Sequence, residues 1–277
     1  MKFTKMQGAG NDYVYVYGFG KDERGIGDLV RKVSDRHRGI GSDGMILIDP
    51  SDKADFRMRM FNADGSKSAM CGNGIRCVGK YVYDKGYTTR TEIDIETEAG
   101  IRHLTLFPVN GKVKCVKVDM GVPILEARNI PVDYEGEKVV DLPFSLGERE
   151  FRITCVSMGN PHAILFVEDV ETIDLEGIGS RMECHPFFPE RTNIGFVQIV
   201  SPADLKMRVW ERGTGETMAC GTGACASLVA AVLNKKVRPH ALVHLKGGDL
   251  EVEWYPDGHV YMTGEAETVF EGEWGCI

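Results

Sequence analysis

The sequence lacks the long apolar runs and the basic clusters that mark two large classes of protein. No apolar stretch approaches the roughly 18 residues that suggest a membrane-spanning helix, and Met1–Gly8 has no apolar core of a signal peptide. We therefore expect no membrane partner and a cytoplasmic location. The net charge of −8 comes without a dense Lys/Arg cluster, so we expect no nucleic-acid partner either.

The sequence also lacks the signs of a disulfide-linked fold and of a flexible linker between domains. Its eight cysteines are spread over 277 residues, which without an export signal is typical of reduced thiols rather than a disulfide framework. No low-complexity linker interrupts it. A composition of 43% hydrophobic and 27% charged residues is ordinary for a globular protein. The length suits two domains of about 140 residues each.

The most informative feature that is present is an internal repeat at an offset of 149 residues. Three short segments recur at that offset: Gly10–Asn11 at Gly159–Asn160, Met58–Phe61 at Met207–Trp210, and Cys71–Gly74 at Cys220–Gly223. We interpret the chain as two homologous halves, each carrying one Cys-Gly-x-Gly. The break lies near residues 118–130, where Gly121–Pro123 predicts a turn, so we place the halves at 1–119 and 120–264.

Hydrophobic periodicity predicts an α+β fold. Alternation over Glu92–Glu96 and the Val/Tyr-rich run Asp12–Tyr17 predict strands, while Asn110–Gly111 and Asp257–Gly258 predict hairpin turns. The residues after each Cys-Gly-x-Gly have helical spacing, and Ala224–Leu233 is apolar all round, as in a buried helix. We predict two pseudo-symmetric domains, each a curved, mostly antiparallel β-sheet or barrel around a central helix whose N-terminus carries a cysteine.

A Cys-Gly-x-Gly at a helix start combines a thiol with an anion-binding backbone. Helix N-termini lower the pKa of thiols, and their amides bind carboxylates. We expect the two motifs to face each other across a cleft and to hold a carboxylate-bearing carbon between them. One thiolate can then remove a proton from one face while the other thiol returns a proton to the opposite face. We therefore predict that Cys71 and Cys220 are the acid–base pair of a racemase or epimerase that needs no cofactor.

Other uses of the thiols stay open at this point. The pairs Cys71/Cys77 and Cys220/Cys225 are spaced slightly wider than usual zinc ligands, but Cys77 and Cys225 lie in apolar helical runs where buried cysteine is common. We predict no metal site. A binding or metal-sensing protein that uses the thiols as ligands is the alternative from another class, and metal analysis distinguishes it. Gly221–Ala226 matches the letters of a dinucleotide motif without its strand–helix context.

Seven motifs resemble the diaminopimelate epimerase family nearly from end to end. They are Gly8–Asp12, Arg38–Gly41, Asn62–Ser66, Met70–Cys77, Gly159–His162, Asn193–Phe196 and Glu211–Gly223. The resemblance implies epimerisation of LL-2,6-diaminoheptanedioate to the meso form without a cofactor, for lysine and peptidoglycan precursors. It also implies a homodimer, and a C-terminal strand over 265–277 that packs on the first half.

The resemblance assigns roles to individual residues. It implies that Cys71 and Cys220 exchange the proton and that His162 and Glu211 tune the two thiols. The residues that it implies bind the substrate are Asn11, Asn62, Gly72, Asn73, Asn160, Asn193, Glu211, Arg212, Gly221 and Thr222. The charges agree with this assignment, because Arg212 can clamp a carboxylate and Glu211 can balance an ammonium group.

One position departs from the family pattern. Some relatives carry a Gln at the position of Gly44, where it contacts substrate, so we assign no role to Gly44. Within enzymes, a racemase of another amino acid such as proline or hydroxyproline remains the alternative. Glu211 and Arg212 favour a substrate with a charged distal end.

Overall fold

The computed structural model describes residues 1–20, 24–68 and 71–275. Met70 of the predicted motif Met70–Cys77 and the last two residues of the predicted C-terminal strand lie outside these ranges. The chain divides into two compact units. The first unit is Met1–Asp119 together with Thr263–Ile277, and the second unit is Met120–Met262.

The first unit contains two helices and nine strands among its described residues. The helices are α1 (Ile26–Ser34) and α2 (Gly72–Asp84). The strands are β1 (Lys2–Gly8), β2 (Asn11–Tyr17), β3 (Gly44–Pro50), β4 (Phe56–Asn62), β5 (Lys67–Ser68), β6 (Glu92–Thr97), β7 (Gly100–Val109), β8 (Lys112–Gly121) and β18 (Glu267–Glu273).

The strands of the first unit form a mostly antiparallel sheet. β1 lies between β18 and β2, and both of these pairs are antiparallel. β2 runs parallel to β3, β4 runs parallel to β6, and the remaining pairs of neighbours are antiparallel. α2 packs against β1, β2 and β7, and its residues 72–82 are all buried. The predicted central helix is therefore confirmed in this unit.

The second unit repeats this plan. Its helices are α3 (Leu175–Glu183) and α4 (Gly221–Leu233), with a short 3-10 helix at Ala127–Asn129. Its strands are β9 (Leu142–Leu146), β10 (Arg149–Ser157), β11 (Pro161–Phe166), β12 (Asn193–Ser201), β13 (Asp204–Glu211), β14 (Gly215–Glu216), β15 (His240–Leu245) and β16 (Gly248–Trp254), and β17 (Val260–Glu265) begins in this unit and ends in the first. α4 packs against β10, β11, β12, β13, β15 and β16, so a central helix is confirmed here too.

The secondary structure repeats at the offset found in the sequence. Adding 149 to the bounds of α1 and α2 gives the bounds of α3 and α4 at both ends. The register of the parallel pairs repeats as well, because Tyr13 lies opposite Gly44 and His162 lies opposite Asn193. The offset therefore defines equivalent positions in the two units, and Asn193 is the equivalent of Gly44.

α1 and α3 are not among the predicted elements. Each connects a parallel pair of strands, β2 to β3 and β11 to β12. The signal for α1 is present in the sequence, since the buried residues Ile26, Val30 and Val33 have the spacing of one helix face. Nine residues with a single apolar stripe are easily missed beside strands that are richer in apolar residues.

Candidate active site

Cys71 is the N-cap residue of α2. Its backbone is extended, with φ −132° and ψ 122°, and its sulfur accepts the amide of Gly74 at 3.4 Å. A sulfur acceptor thus fills the place that Ser, Thr, Asp or Asn usually take at a helix N-cap. The amides of Gly72 and Asn73 lie in the first turn, where an amide has no acceptor within its own helix. Cys71 therefore lies beside backbone donors that suit a carboxylate.

Asn11, at the start of β2, contacts the sulfur of Cys71. Its Oδ1 lies 3.1 Å from Cys71 Sγ, and its Nδ2 donates to Asp43 Oδ2 at 2.6 Å. The tight turn between β1 and β2 brings Asn11 to this place, with Ala9 at φ 52° and Gly10 at φ 80°. The structure thus brings together two residues that lie 60 positions apart in the sequence.

Asn73 is held by a buried arginine, Arg76, that is not among the predicted site residues. Asn73 is 1% exposed, and its Oδ1 accepts from Arg76 Nη1 at 3.0 Å. The same nitrogen of Arg76 lies 3.3 Å from Gly72 O, and Arg76 Nε donates to Glu265 O at 3.3 Å. Arg76 therefore places a cation beneath the first turn of α2. Its place within the motif Met70–Cys77, one turn after Gly72, is the signal that could have indicated it.

Asn62 closes a turn after β4. Its backbone amide donates to Ser66 O at 2.9 Å and its Nδ2 donates to Ser66 Oγ at 3.1 Å. Asn62 lies opposite Gly44 in the pairing of β3 with β4. A Cβ atom on Gly44 would lie 2.0 Å from the carbonyl oxygen of Phe61, so the close approach of these strands leaves no room for a side chain at position 44.

Cys220 is the N-cap residue of α4 and is 6% exposed. Its backbone, with φ −125° and ψ 107°, resembles that of Cys71. Its sulfur, however, accepts no amide of its own helix among the described residues, and it lies 3.5 Å from the hydroxyl of Thr222. The first-turn amides here belong to Gly221 and Thr222. The two cysteines thus share a position in the fold but have different polar neighbours.

His162 is fully buried beside Thr222. Its Nε2 lies 3.1 Å from Thr222 Oγ1 and 3.2 Å from Asn160 Oδ1. Burial, reinforced by the nearby guanidinium of Arg212, lowers the pKa of His162 to about 3. The imidazole is therefore neutral near pH 7 and does not supply a positive charge to a thiolate. The Thr222 hydroxyl contacts both His162 and Cys220 and so connects the two side chains.

Asn193 anchors the segment that carries Arg212. Its Nδ2 donates to Pro161 O at 2.8 Å, and its Oδ1 accepts the backbone amide of Arg212 at 2.9 Å. The guanidinium of Arg212 is exposed and donates to Glu190 O at 3.0 Å. The carboxylate of Glu211 accepts the hydroxyl of Thr217. This corner therefore offers one exposed cation and one anion in adjacent positions.

The comparisons with known proteins point to one family. A model of the diaminopimelate epimerase family matches residues 3–126 and 154–269. Diaminopimelate epimerases from Acetivibrio thermocellus and Methanococcus maripaludis are each 57% identical to this chain over 274 residues, which cover 99% of this chain and 98% and 99% of theirs.

The chain belongs to the diaminopimelate epimerase family. This membership confirms the resemblance found in the sequence and the prediction of an epimerase. The two matched segments lie on either side of residues 127–153.

Solved structures with low sequence identity share the fold. A phenazine biosynthesis protein of the PhzF family from Bacillus anthracis gives a TM-score of 0.72 at 18% identity and covers 100% of this chain and 99% of its own. A hydroxyproline epimerase from Agrobacterium vitis, with bound trans-4-hydroxy-L-proline, gives 0.68 at 16% identity and covers 98% of this chain and 90% of its own. These likenesses confirm the predicted α+β fold.

The described residues show neither a metal cluster nor a membrane span. No group of three His, Cys, Asp or Glu side chains in these ranges is arranged to hold a metal ion. Within the same part of the chain, no helix has the length and apolarity needed to cross a membrane.

Proposed function

We propose that this member of the diaminopimelate epimerase family converts LL-2,6-diaminoheptanedioate to the meso form, with Cys71 and Cys220 as its two acid–base groups. The observation that carries the proposal is the placement of both cysteines as N-cap residues of equivalent helices. Each cysteine thereby has first-turn amides beside it. The names of the relatives supply the substrate.

In the proposed reaction each thiol exchanges a proton with one face of the α-carbon. A thiolate takes the α-proton, and the electron pair of the broken C–H bond delocalises into the carboxylate. The opposite thiol then gives its proton to the α-carbon and becomes a thiolate itself. No net proton is gained or lost, and the enzyme ends in the complementary protonation state, ready for the reverse direction. Acid–base catalysis of this kind contributes about 10²–10⁴-fold to a rate.

We propose that backbone amides stabilise the charge that develops on the carboxylate. Gly72 and Asn73 supply them in the first unit, and Gly221 and Thr222 in the second. Removing a single donor of this type costs an enzyme roughly 3–4 kcal/mol of transition-state stabilisation. Glycine directly after each cysteine suits this role, because no side chain keeps the substrate from the backbone.

The remaining predicted residues would bind the two ammonium groups and the distal carboxylate. The exposed guanidinium of Arg212 suits the distal carboxylate, and the carboxylate of Glu211 suits an ammonium group. We propose that the four asparagines Asn11, Asn62, Asn160 and Asn193 add neutral donors and acceptors. His162, neutral through burial, would tune Cys220 by a hydrogen bond through Thr222.

We further propose the cellular setting that the family suggests. The reaction would serve lysine and peptidoglycan precursor synthesis in the cytoplasm. The protein would need no cofactor and would act as a homodimer.

The proposal is tested by single substitutions of the cysteines. We expect Cys71→Ala and Cys220→Ala each to lower the turnover of LL-diaminopimelate by at least about 100-fold. The matched controls are Cys77→Ala and Cys225→Ala, which change buried cysteines within the same two helices and should retain most of the activity. Proline and hydroxyproline serve as alternative substrates. Wild-type turnover by both single mutants, or a preference for proline, would refute the proposal.

A further inference from the structure

Asn11 presents the oxygen of its amide to Cys71 because the nitrogen of the same amide is bound by Asp43. Asn11 Nδ2 donates to Asp43 Oδ2 at 2.6 Å, which leaves Oδ1 at 3.1 Å from Cys71 Sγ. An ionised carboxylate accepts hydrogen bonds but cannot donate one. If the amide turned over, its oxygen would face the oxygen of Asp43, and its NH₂ group would face the sulfur. Asp43 therefore decides which end of Asn11 meets the thiol.

The carboxylate of Asp43 is itself fixed on several sides. Its Oδ2 also accepts the backbone amide of Asp12 at 3.1 Å, and its Oδ1 accepts from Arg36 Nη2 at 2.9 Å. Its own amide donates to Asp12 O at 2.8 Å. Since both carboxylate oxygens and the backbone are engaged, Asp43 cannot turn away from Asn11 without losing several bonds.

We propose that Asp43 is a positioning residue that locks the amide of Asn11, so that Oδ1 accepts the S–H of Cys71 and holds the thiol hydrogen in place for transfer. This inference rests on the proposed function of Cys71 as an acid–base group. An acceptor beside a thiol favours its protonated form, because a thiolate has no hydrogen to donate and is repelled by the oxygen. Asp43 thereby stabilises Cys71 as a proton donor without touching it.

The other ionisable groups around Cys71 in the first unit do not depend on this contact. Among the described residues they include Cys77 and Tyr15, which interact with Cys71, and Arg76, which interacts with Cys77. Lys5, Asp12 and Arg36 form a charged cluster with Asp43 next to Asn11. Burial raises the pKa of Cys77 to about 11 and that of Tyr15 well above its ordinary value, so both are neutral near pH 7. Arg76 stays a cation throughout. Both variants at position 43 remove the carboxylate from Arg36 Nη2, so comparing one variant with the other leaves these groups as a constant background.

The described residues at the equivalent place in the second unit are different. The equivalent of Asp43 is Thr192, and the oxygen of the equivalent amide, Asn160 Oδ1, lies 3.2 Å from His162 Nε2. Cys220 instead lies 3.5 Å from the hydroxyl of Thr222, which can donate to a thiolate. We therefore expect substitutions at position 43 to change the reactivity of Cys71 and to leave that of Cys220 unchanged.

A matched pair of variants separates the orientation of Asn11 from the charge of Asp43. Asp43→Ala removes the acceptor, so the amide of Asn11 is free to turn. Asp43→Asn removes the charge but keeps an oxygen on Asn11, because the fixed amide of Asp12 repels an NH₂ group at that place. The new NH₂ group then points toward Arg36, which can retain its bond to Asp12 at 2.7 Å. If Asp43→Ala fails to fold, Asp43→Leu replaces it.

The first measurement is the pH at which Cys71 is half alkylated by iodoacetamide, with each cysteine followed by peptide mass spectrometry. We expect this midpoint to fall by about one pH unit in Asp43→Ala and to move much less in Asp43→Asn. The midpoint of Cys220 should stay the same in both. Equal shifts in the two variants, or none in either, would overturn the proposal. Since alkylation needs no substrate, this result is independent of whether the chain turns over diaminopimelate.

The second measurement is the split between kcat and KM with diaminopimelate. We expect Asp43→Ala to lower kcat by about tenfold, the equivalent of one hydrogen bond to the reacting group, with KM changed by less than about threefold. Asp43→Asn should recover most of kcat. A rise in KM with kcat unchanged would assign Asp43 to substrate binding and contradict the positioning role.

Discussion

At the scale of single residues, the two halves keep the same backbone while their side-chain chemistry has diverged. Arg76, which holds Asn73 in the first turn of α2, has Cys225 of α4 as its equivalent. Asn73 itself is replaced by Thr222, whose hydroxyl lies between His162 and Cys220. The first unit thus has a buried cation near its cysteine, whereas the second unit has a neutral imidazole near its own. The two thiols are therefore not interchangeable.

The buried imidazole makes the stability of the protein depend on pH. His162 has a pKa of about 3 in the folded chain, whereas an unfolded histidine titrates near its ordinary pKa of about 6.5. Between these two pKa values, His162 binds a proton in the unfolded chain but not in the folded chain. The free energy of unfolding therefore falls as the pH drops through this window, and it is recovered above about pH 6.5.

Urea unfolding at pH 7 and pH 5 measures this effect. We expect the wild type to lose about 2 kcal/mol more than His162→Gln between these two pH values, because glutamine does not titrate. The comparison uses only the difference between the pH values, so a cost of the substitution that is independent of pH cancels. Equal losses in the two proteins would show that His162 is not held neutral by the fold.

At the scale of the elements, the approach of β3 to β4 fixes glycine at position 44. We expect Gly44→Ala to lower the free energy of unfolding by about 3 kcal/mol, since its Cβ would lie 2.0 Å from Phe61 O and the strands must separate. Gly275→Ala is the matched control, because a Cβ there meets nothing within 4 Å. Urea midpoints of the two variants test this, and equal midpoints would contradict the account.

Some of the helices and strands can be predicted from the sequence alone, and others cannot. α2 and α4 are predictable because a cysteine, two glycines and an apolar run follow one another in both halves. The strands around Asn110–Gly111 are predictable for a similar reason, since both residues take positive φ, at 52° and 75°, as that turn requires. α1 and α3 are not predicted, because a single apolar stripe over nine residues is a weak signal beside strands that are richer in apolar residues.

At the scale of the whole molecule, the repeat indicates which residues matter but not how they are held. The sequence singles out Asn11 and Cys71, and the structure brings them to 3.1 Å. Nothing in the sequence selects Asp43, because charged residues are common and its importance comes from partners distant in the chain. Arg76 lies within the motif Met70–Cys77, but its role also depends on distant partners. Contacts that depend on tertiary packing, such as that of Arg76 with Glu265, have no local signature.

The fate of the α-proton tests the central claim, that two thiols work on opposite faces of one carbon. LL-diaminopimelate is incubated in D₂O, and the reaction is stopped before a tenth or so of it has reacted. Because the proton leaves to one thiol and the deuteron arrives from the other, we predict that the meso product carries deuterium while the recovered LL substrate keeps its hydrogen. Deuterium appearing at equal rates in the product and in the recovered substrate would mean that a single base exchanges the proton, and would contradict the account.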